Sequence, residues 1–499
     1  MKTANIQTLL EQALAHHQQG QFKQAEALYL QVLQLQADQF DALQLLGTLA
    51  RQRGDAETAV SRLQQAIAVN PQQAIAHSNL GAALQDLGRS QEAVASYDRA
   101  LLLKPDYAMA CNNRGNALRS LRQLEQALAS YDQALQITPA YPEALLNRGL
   151  LLQELAEHES ALPDFDDALA LRKNYTEALF ARAVSLQYLH AHEEALQDYD
   201  HLLQLHPAHS EAWCNRGMLL QKMQQYEAAL HSIDQALAHK ADFAKAHQQR
   251  GHCLRLLQRN EEAITAYQNA LAHGANAEQI HYALAALGTG DTPATAPPGY
   301  VAELFDQYAD HFDRHLLDVL GYAVPDLLAA AIERHRSTGT CHSLDLGCGT
   351  GLCAPLLRPY SSRLVGVDLS EKMLAKARQT ELYDSLHCAD IARFLLTTTP
   401  AKHDLVVAAD VFVYIGDLQQ VFAGVNRVLR HGGLFAFSAE AGDNPDFSLR
   451  PSHRYAHATA YLQDLAQQHG FTIVEASQEF ARRDHGEDIA IHIMLLQKI

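Results

Sequence analysis

One self-similarity governs the first half of the chain: a period of 34 residues running from residue 6 to about residue 277. With units starting at 6, 40, 74, 108, 142, 176, 210 and 244, alanine fills the twentieth position of all eight, from Ala25 and Ala59 to Ala263. The eighth position is always small: Ala13, Gly47, Gly81, Gly115, Gly149, Ala183, Gly217 and Gly251. An aromatic recurs at the twenty-fourth, as Tyr29, Tyr97, Tyr131, Phe165, Tyr199 and Tyr267, with Leu63 and Ile233 as apolar substitutes. Pro71, Pro105, Pro139 and Pro207 close four of the units. Few folds satisfy such a period. Two antiparallel helices per unit approach closely only where side chains are small, and a large ring fills the wedge beside that contact. One unit cannot bury its apolar face alone, so neighbours must stack. Residues 278–287 then read as a capping helix over the last unit.

Spacing and residue types resemble the tetratricopeptide repeat. At the sixth position stand Asn79, Asn113, Asn147 and Asn215, interrupted by Ala181 and followed by Gln249. In that architecture the first helix of each pair lines the concave face, so the resemblance implies a ladder of amides one repeat apart. Asparagine offers both a donor and an acceptor, which suits bidentate pairing with an extended peptide backbone. The ladder resembles that of the O-GlcNAc transferase superhelix and implies a protein or peptide partner in the concave groove. The same amides could instead tie adjacent helices together or face water.

The segment 288–299, Gly-Thr-Gly-Asp-Thr-Pro-Ala-Thr-Ala-Pro-Pro-Gly, breaks the helical periodicity and reads as a short, semi-stiff linker. Domains are therefore expected at 1–287 and 300–499, joined by 288–299. An amphipathic stretch follows at 300–315, then a helix from about Val324 to Arg336. Beyond it, Leu344-Asp345-Leu346-Gly347-Cys348-Gly349-Thr350-Gly351 reads as a buried strand turning through glycines. Glycines let backbone N–H groups approach a ligand that a side chain would exclude. A second apolar run ends at Asp368, whose carboxylate can accept two ribose hydroxyls, and a third reaches Asp390, suited to an adenine amino group. The Gly-x-Gly-x-Gly spacing departs from the Gly-x-Gly-x-x-Gly of a dinucleotide fold, which disfavours a nicotinamide oxidoreductase.

These three blocks, in order, resemble motifs I, II and III of the class I S-adenosylmethionine-dependent methyltransferases. The whole arrangement resembles a bacterial group of predicted methyltransferases fused to tetratricopeptide repeats. The expected fold has two domains, an all-α tetratricopeptide superhelix followed by an α/β Rossmann-like class I methyltransferase domain. The resemblance implies S-adenosyl-L-methionine as cofactor. It would be held by Asp345, Gly347, Cys348, Gly349, Gly351, Asp368, Leu369, Met373, Asp390, Ile391 and Asp410, with Tyr308 or Phe312 at the methionine end. Met373 matches the position that packs on adenine. Ser370 is the expected N-cap of the helix after Asp368.

The fourth strand runs from His403 to Asp410 and brings Asp410 and Tyr414 to the transferable methyl. The Asn/Asp-Pro-Pro-Tyr/Phe signature of amino-group methylation on nucleobases or glutamine amides is missing there. A fifth strand is expected at 434–438, and a final antiparallel hairpin at 471–476 and 488–497. Between them a polar, aromatic insertion at 450–457 covers the substrate by resemblance, with His453 or His457 as candidate general base.

Net charge excludes one class of acceptor. Lys and Arg number 22 against 32 Asp and Glu up to residue 298, and 17 against 25 beyond it. Neither half carries the basic footprint of a nucleic-acid enzyme. The 7 cysteines show no metal-ligand spacing, and no metal is expected. The absence of an apolar signal-peptide core or membrane-length run leads to the expectation of a cytoplasmic protein without a membrane partner. The acceptor is open. Open too are a scaffold that binds cofactor without turnover, and a small-molecule methyltransferase whose repeats serve only assembly.

Overall fold

The computed structural model describes residues 2–309, 312–314, 316, 321–336, 339–484 and 487–499. Contacts divide the chain into two compact units, Met1–His239 and Lys240–Ile499.

The first unit is a stack of antiparallel helix pairs, such as Ala108–Ser120 with Leu124–Ile137 and Pro142–Glu154 with His158–Leu171. The period has the physical cause inferred for it. A methyl group on Gly81 would stand 2.7 Å from the ring of Tyr97. Tyr97, Tyr131, Phe165 and Tyr199 are all fully buried. A second periodic device escaped the sequence reading. Arg148 reaches back to Asp132 of the preceding pair at 2.7 Å and across to Asp164 of its own at 2.6 Å. Arg182 repeats this with Asp166 and Asp198, both at 2.6 Å. Each guanidinium thus staples consecutive pairs.

The second unit begins with the helices Ala244–Leu256, Asn260–Ala272 and Ala277–Ala286, the last predicted repeat and its cap. Then come β1 (Cys341–Leu346), β2 (Ser361–Asp368), β3 (Ser385–Cys388), β4 (His403–Ala408) and β5 (Leu429–Glu440). A small hairpin follows, β6 (Phe447–Leu449) with β7 (Tyr455–His457), and finally β8 (Phe471–Asp484) and β9 (Glu487–Lys498). Seven strands form one sheet in the order β3-β2-β1-β4-β5-β9-β8. The first five are parallel, and β9 runs antiparallel to both β5 and β8. Strand order reverses between β1 and β4, the point where ligands settle at the carboxyl ends of such sheets. Both faces are covered: along β5, Phe435 and Phe437 enter one core, and Leu434 and Ala436 the other.

One strand start differs from expectation. β5 starts at Leu429, ahead of the expected 434, because the Gly432–Gly433 turn is absorbed as a register shift against β4. The stretch 300–315 is a helix at Pro298–Tyr308 and a short turn at Phe312–Arg314. Residues 310, 311 and 315 of that expected helix lie outside the described residues.

The contact division falls at 239/240, whereas glycine and proline put the linker at 288–299. That segment is bonded to the turn after β4 and to β7. Ala296 N–H donates to Tyr414 O at 2.9 Å, and Gly416 and Asp417 N–H donate to Ala294 O at 2.9 and 2.8 Å. The Tyr455 hydroxyl donates to Pro293 O at 2.8 Å. Glycine and proline mark a break in helical periodicity there, not a break in packing. Among the described residues no helix is long and apolar enough to cross a membrane.

Candidate functional site

At the carboxyl edge of β1 the chain turns through Gly347, Gly349 and Gly351, with φ of +67°, +54° and +97°. L side chains rarely adopt this backbone, and a Cβ on Gly347 would also drive into Val411. The loop is tied to β2: Gly347 and Cys348 N–H donate to Val367 O at 2.7 and 3.0 Å, and Gly349 N–H donates to Asp368 Oδ2 at 2.9 Å. Asp368 Oδ1 accepts from Ser370 N–H at 2.9 Å. The Leu369 N–H also bonds this carboxylate, so most of its acceptor capacity ties the loop and the remainder is open to a hydroxyl. Burial raises its pKa, and the N–H groups of Ser370 and Gly349 oppose the shift. Asp390 sits half-buried past β3 as the N-cap of Ile391–Thr397, accepting from Arg393 N–H at 2.9 Å. Three glycines in left-handed conformation, with carboxylates ending the next two strands, fit a ligand carrying ribose and a base.

Other expected cofactor residues lie beneath this surface. Asp345 is fully buried and accepts the Tyr383 hydroxyl at 2.6 Å. Burial raises its carboxyl to about 7, Tyr383 opposing and Asp368 adding to the rise. Its geometry is that of a strut for the loop. Cys348 is buried, with its thiol pushed up by burial, and contributes backbone only. Met373 is fully buried and receives the Ser370 cap at 3.1 Å, so its side chain offers no surface to an adenine. Leu369 is half-buried and Ile391 buried. Tyr308 packs edge-on against Phe312 at 5.6 Å, with its phenol pushed to about 12 by burial. Tyr383 was missed in the sequence, although its ring lies 3.2 Å from where a Cβ on Gly351 would stand.

The carboxyl end of β4 is built around a charged cluster that the sequence did not disclose. Asp410, at φ +56°, donates its N–H to Ser438 Oγ at 2.8 Å. Both its carboxylate oxygens lie 3.0 Å from Arg454 Nη2. Arg454 Nε also reaches Glu440 at 3.3 Å, and Arg450 pairs with the same glutamate. Burial works against the Arg454 charge, but Asp410, Tyr414 and Glu440 outweigh it and hold the guanidinium firmly protonated. Tyr414 lies beneath the guanidinium, 5.7 Å from ring centre to Cζ.

The two histidines expected as bases do not have a base's geometry. His457 is fully buried, its Nε2 3.0 Å from both the Ile415 and Gly416 carbonyls, and burial lowers it to about 4. Its ring stacks on Tyr461. His453 is buried at φ +64°, and burial, with Arg255 and His252 nearby, pushes its pKa well down. Both are struts of the insertion.

In the first unit the four asparagines are half-buried. Asn79 donates to Thr48 Oγ1 at 3.4 Å and Asn147 to Asn112 at 2.8 Å, each one repeat back. Asn112 in turn bonds Asn113 at 3.3 Å, and Tyr199 bonds Asn215. Part of the amides' capacity therefore ties helices together. A groove of about 970 Å³ lies nearby, lined by Leu150, Gln153, Phe180, Val184, Pro207 and His209 among others.

With this geometry in view, the chain's class follows. Residues 344–437 match the model of a methyltransferase domain, and tetratricopeptide repeat models match within 10–155, at 198–231 and at 244–272. The chain thus carries a methyltransferase domain behind a helical array of tetratricopeptide repeats. It is 32% identical over 165 residues to a malonyl-[acyl-carrier protein] O-methyltransferase of Enterobacter lignolyticus, covering 32% of this chain and 63% of that protein. It is 29% identical over 111 residues to a ubiquinone biosynthesis O-methyltransferase of Coxiella burnetii, covering 21% of this chain and 47% of that protein. The chain spans about half the length of the curated relatives it matches. The crystal structure of YrrB, a TPR protein with an unusual peptide-binding site, aligns at 27% identity and a TM-score of 0.34, covering 38% of this chain and 97% of that one.

Proposed function

We propose that the chain is an S-adenosylmethionine-dependent O-methyltransferase whose repeats recruit a protein or peptide substrate or partner. One observation carries the cofactor reading: the left-handed glycine loop at the edge of β1, bracketed by Asp368 and Asp390 on the next two strand ends. Oxygen as the accepting atom is drawn from the names of the two relatives. S-adenosylmethionine supplies an electrophilic methyl on a sulfonium. The loop 347–351 and Asp368 would hold the nucleoside, while Asp410 and Arg454 fix the acceptor side. With both histidines locked as struts, the chain works by positioning, which alone can supply several kcal/mol of a transfer barrier, roughly 7–11 in the best-oriented cases.

Calorimetry of the full chain with S-adenosylmethionine tests the cofactor site. Asp368→Ala removes a charge-assisted acceptor and should weaken binding by roughly 1.5–3 kcal/mol. Equal affinity in the variant would remove the ribose assignment. Labelled methyl transfer in a lysate then separates turnover from a binding-only scaffold. Release of S-adenosylhomocysteine with any fraction excludes the scaffold. Replacing Asn79, Asn113, Asn147 and Asn215 together with alanine should abolish partner capture and leave cofactor affinity unchanged. Unchanged pull-downs would make the ladder purely structural.

A further inference from the structure

The cap of a free repeat array keeps a polar outer face. Helix Ala277–Ala286 does so only in its first turns, where Glu278 and His281 are exposed. Tyr282, Ala283, Leu284, Ala285 and Ala286 are consecutive and each at most 6% exposed. Five consecutive positions sweep the full circumference of a helix, so its carboxyl-terminal half is covered all round and is an interior element. Within the unit Lys240–Ile499, what covers it includes the insertion beside the acceptor side. The Tyr282 hydroxyl donates to His453 O at 2.6 Å, and its ring stands 5.5 Å from those of His453 and Tyr300. Arg255, in helix Ala244–Leu256 of the last pair, donates from Nη1 to Pro451 O at 2.9 Å.

These two donors hold an otherwise exposed turn. Pro451 and Ser452 face solvent, and His453 adopts a left-handed backbone that a non-glycine residue keeps only when its surroundings fix it. Inside the turn, His453 N–H donates to Arg450 O at 2.8 Å and Arg450 N–H to Arg454 O at 2.9 Å. The turn ends at Arg454, whose guanidinium spans Asp410 and Glu440. A continuous path of hydrogen bonds thus runs from the last repeat and its cap to the carboxyl end of β4. We infer that Tyr282 and Arg255 are positioning residues: the final repeat pair and its cap form the back wall of the acceptor side and set the turn that places Arg454 on Asp410. The purpose of that placement rests on the methyl-transfer reading, but the placement itself does not.

The test uses the full chain with ¹⁵N-labelled arginine. The Arg454 Nε–H resonance, assigned by its loss in Arg454→Lys, should exchange slowly in the wild type. In Tyr282→Phe combined with Arg255→Met, that resonance should broaden and the amides of 450–454 should exchange at least tenfold faster. Arg255→Lys keeps a donor for the Pro451 carbonyl and should retain wild-type protection. S-adenosylmethionine affinity should change less than twofold in the double variant and in Arg255→Lys, because among the described residues the hydrogen bonds of the glycine loop run to β2 and not to the turn. Wild-type protection of 450–454 and Arg454 in the double variant overturns the inference. So does uniformly faster exchange across the whole second unit, the mark of lost stability alone. Failure of the methyl-transfer reading would show separately, as a wild-type chain that does not bind the cofactor.

Discussion

Asp345 shows how far a motif residue can stand from the ligand its motif serves. It occupies the acidic position before the glycines, yet it is sealed under the loop with Tyr383 as its partner. Its folded pKa of about 7 exceeds the usual 3.8, so the folded state binds a proton that the unfolded state has released. Stability from this group is complete below about pH 4 and is lost as pH rises through about 7. Each unit of raised pKa corresponds to about 1.4 kcal/mol. Asp345→Asn should therefore stabilise the chain by a few kcal/mol at pH 8 and by far less at pH 5. Urea titrations at the two pH values measure this, and equal gains at both would refute the assignment. The left-handed glycine turn, the place of Asp368 at the end of β2 and the Ser370 cap were legible in sequence because backbone geometry fixes them. His453, His457 and Met373 were not, because residue type is silent about burial, and burial decided their roles. The Asp410–Arg454–Glu440 cluster joins residues up to 44 apart, and no local pattern announces it.

Among the elements, the repeat helices were the most legible, since each small residue and each ring answers a steric demand that recurs every 34 residues. The arginine staples recur at the same period and went unread because charged residues on a repeat are ordinarily a solvated face. Two of them should differ sharply. Arg148→Met strips Asp164, at 4% exposed, of its ion partner, at a cost of about 3–5 kcal/mol for a buried pair and somewhat less here, since Arg148 is partly exposed. Arg114→Met loses a bond to Asp98, which is half exposed, and one to the Ser130 hydroxyl, and should cost under about 1 kcal/mol. Unfolding followed by the fluorescence of Trp213, the only tryptophan, reads both in the first unit. Equal costs would mean that the staples are surface pairs only.

Across the whole molecule, acid should act unevenly. Burial lowers His252, His403 and His457 to about 4, and holds His453 and His492 down as well. All five lie in Lys240–Ile499. A histidine kept neutral by folding adds stability that is present above about pH 6.5 and lost as pH falls through its folded pKa. Asp345 and Asp368, both raised by burial, run the other way, two groups against five. From pH 6.5 to 4.5 the melting transition of the second unit should fall, while the transition seen by Trp213 moves much less. Parallel shifts of both would contradict this. The same values remove the acid limb expected of a histidine base, so turnover should lack a histidine step between about pH 5.5 and 8.

The bonds that tie residues 293–296 to the turn after β4 and to β7 also bear on how such a gene could be recombined. A proline-rich joint invites a splice, yet a cut there would strip Tyr282 from His453 and bare an apolar helix bed to solvent. A splice before residue 240 carries the last helix pair along with the enzyme. Exchange of front repeats by shuffling is therefore open to this chain one repeat earlier than its composition advertises.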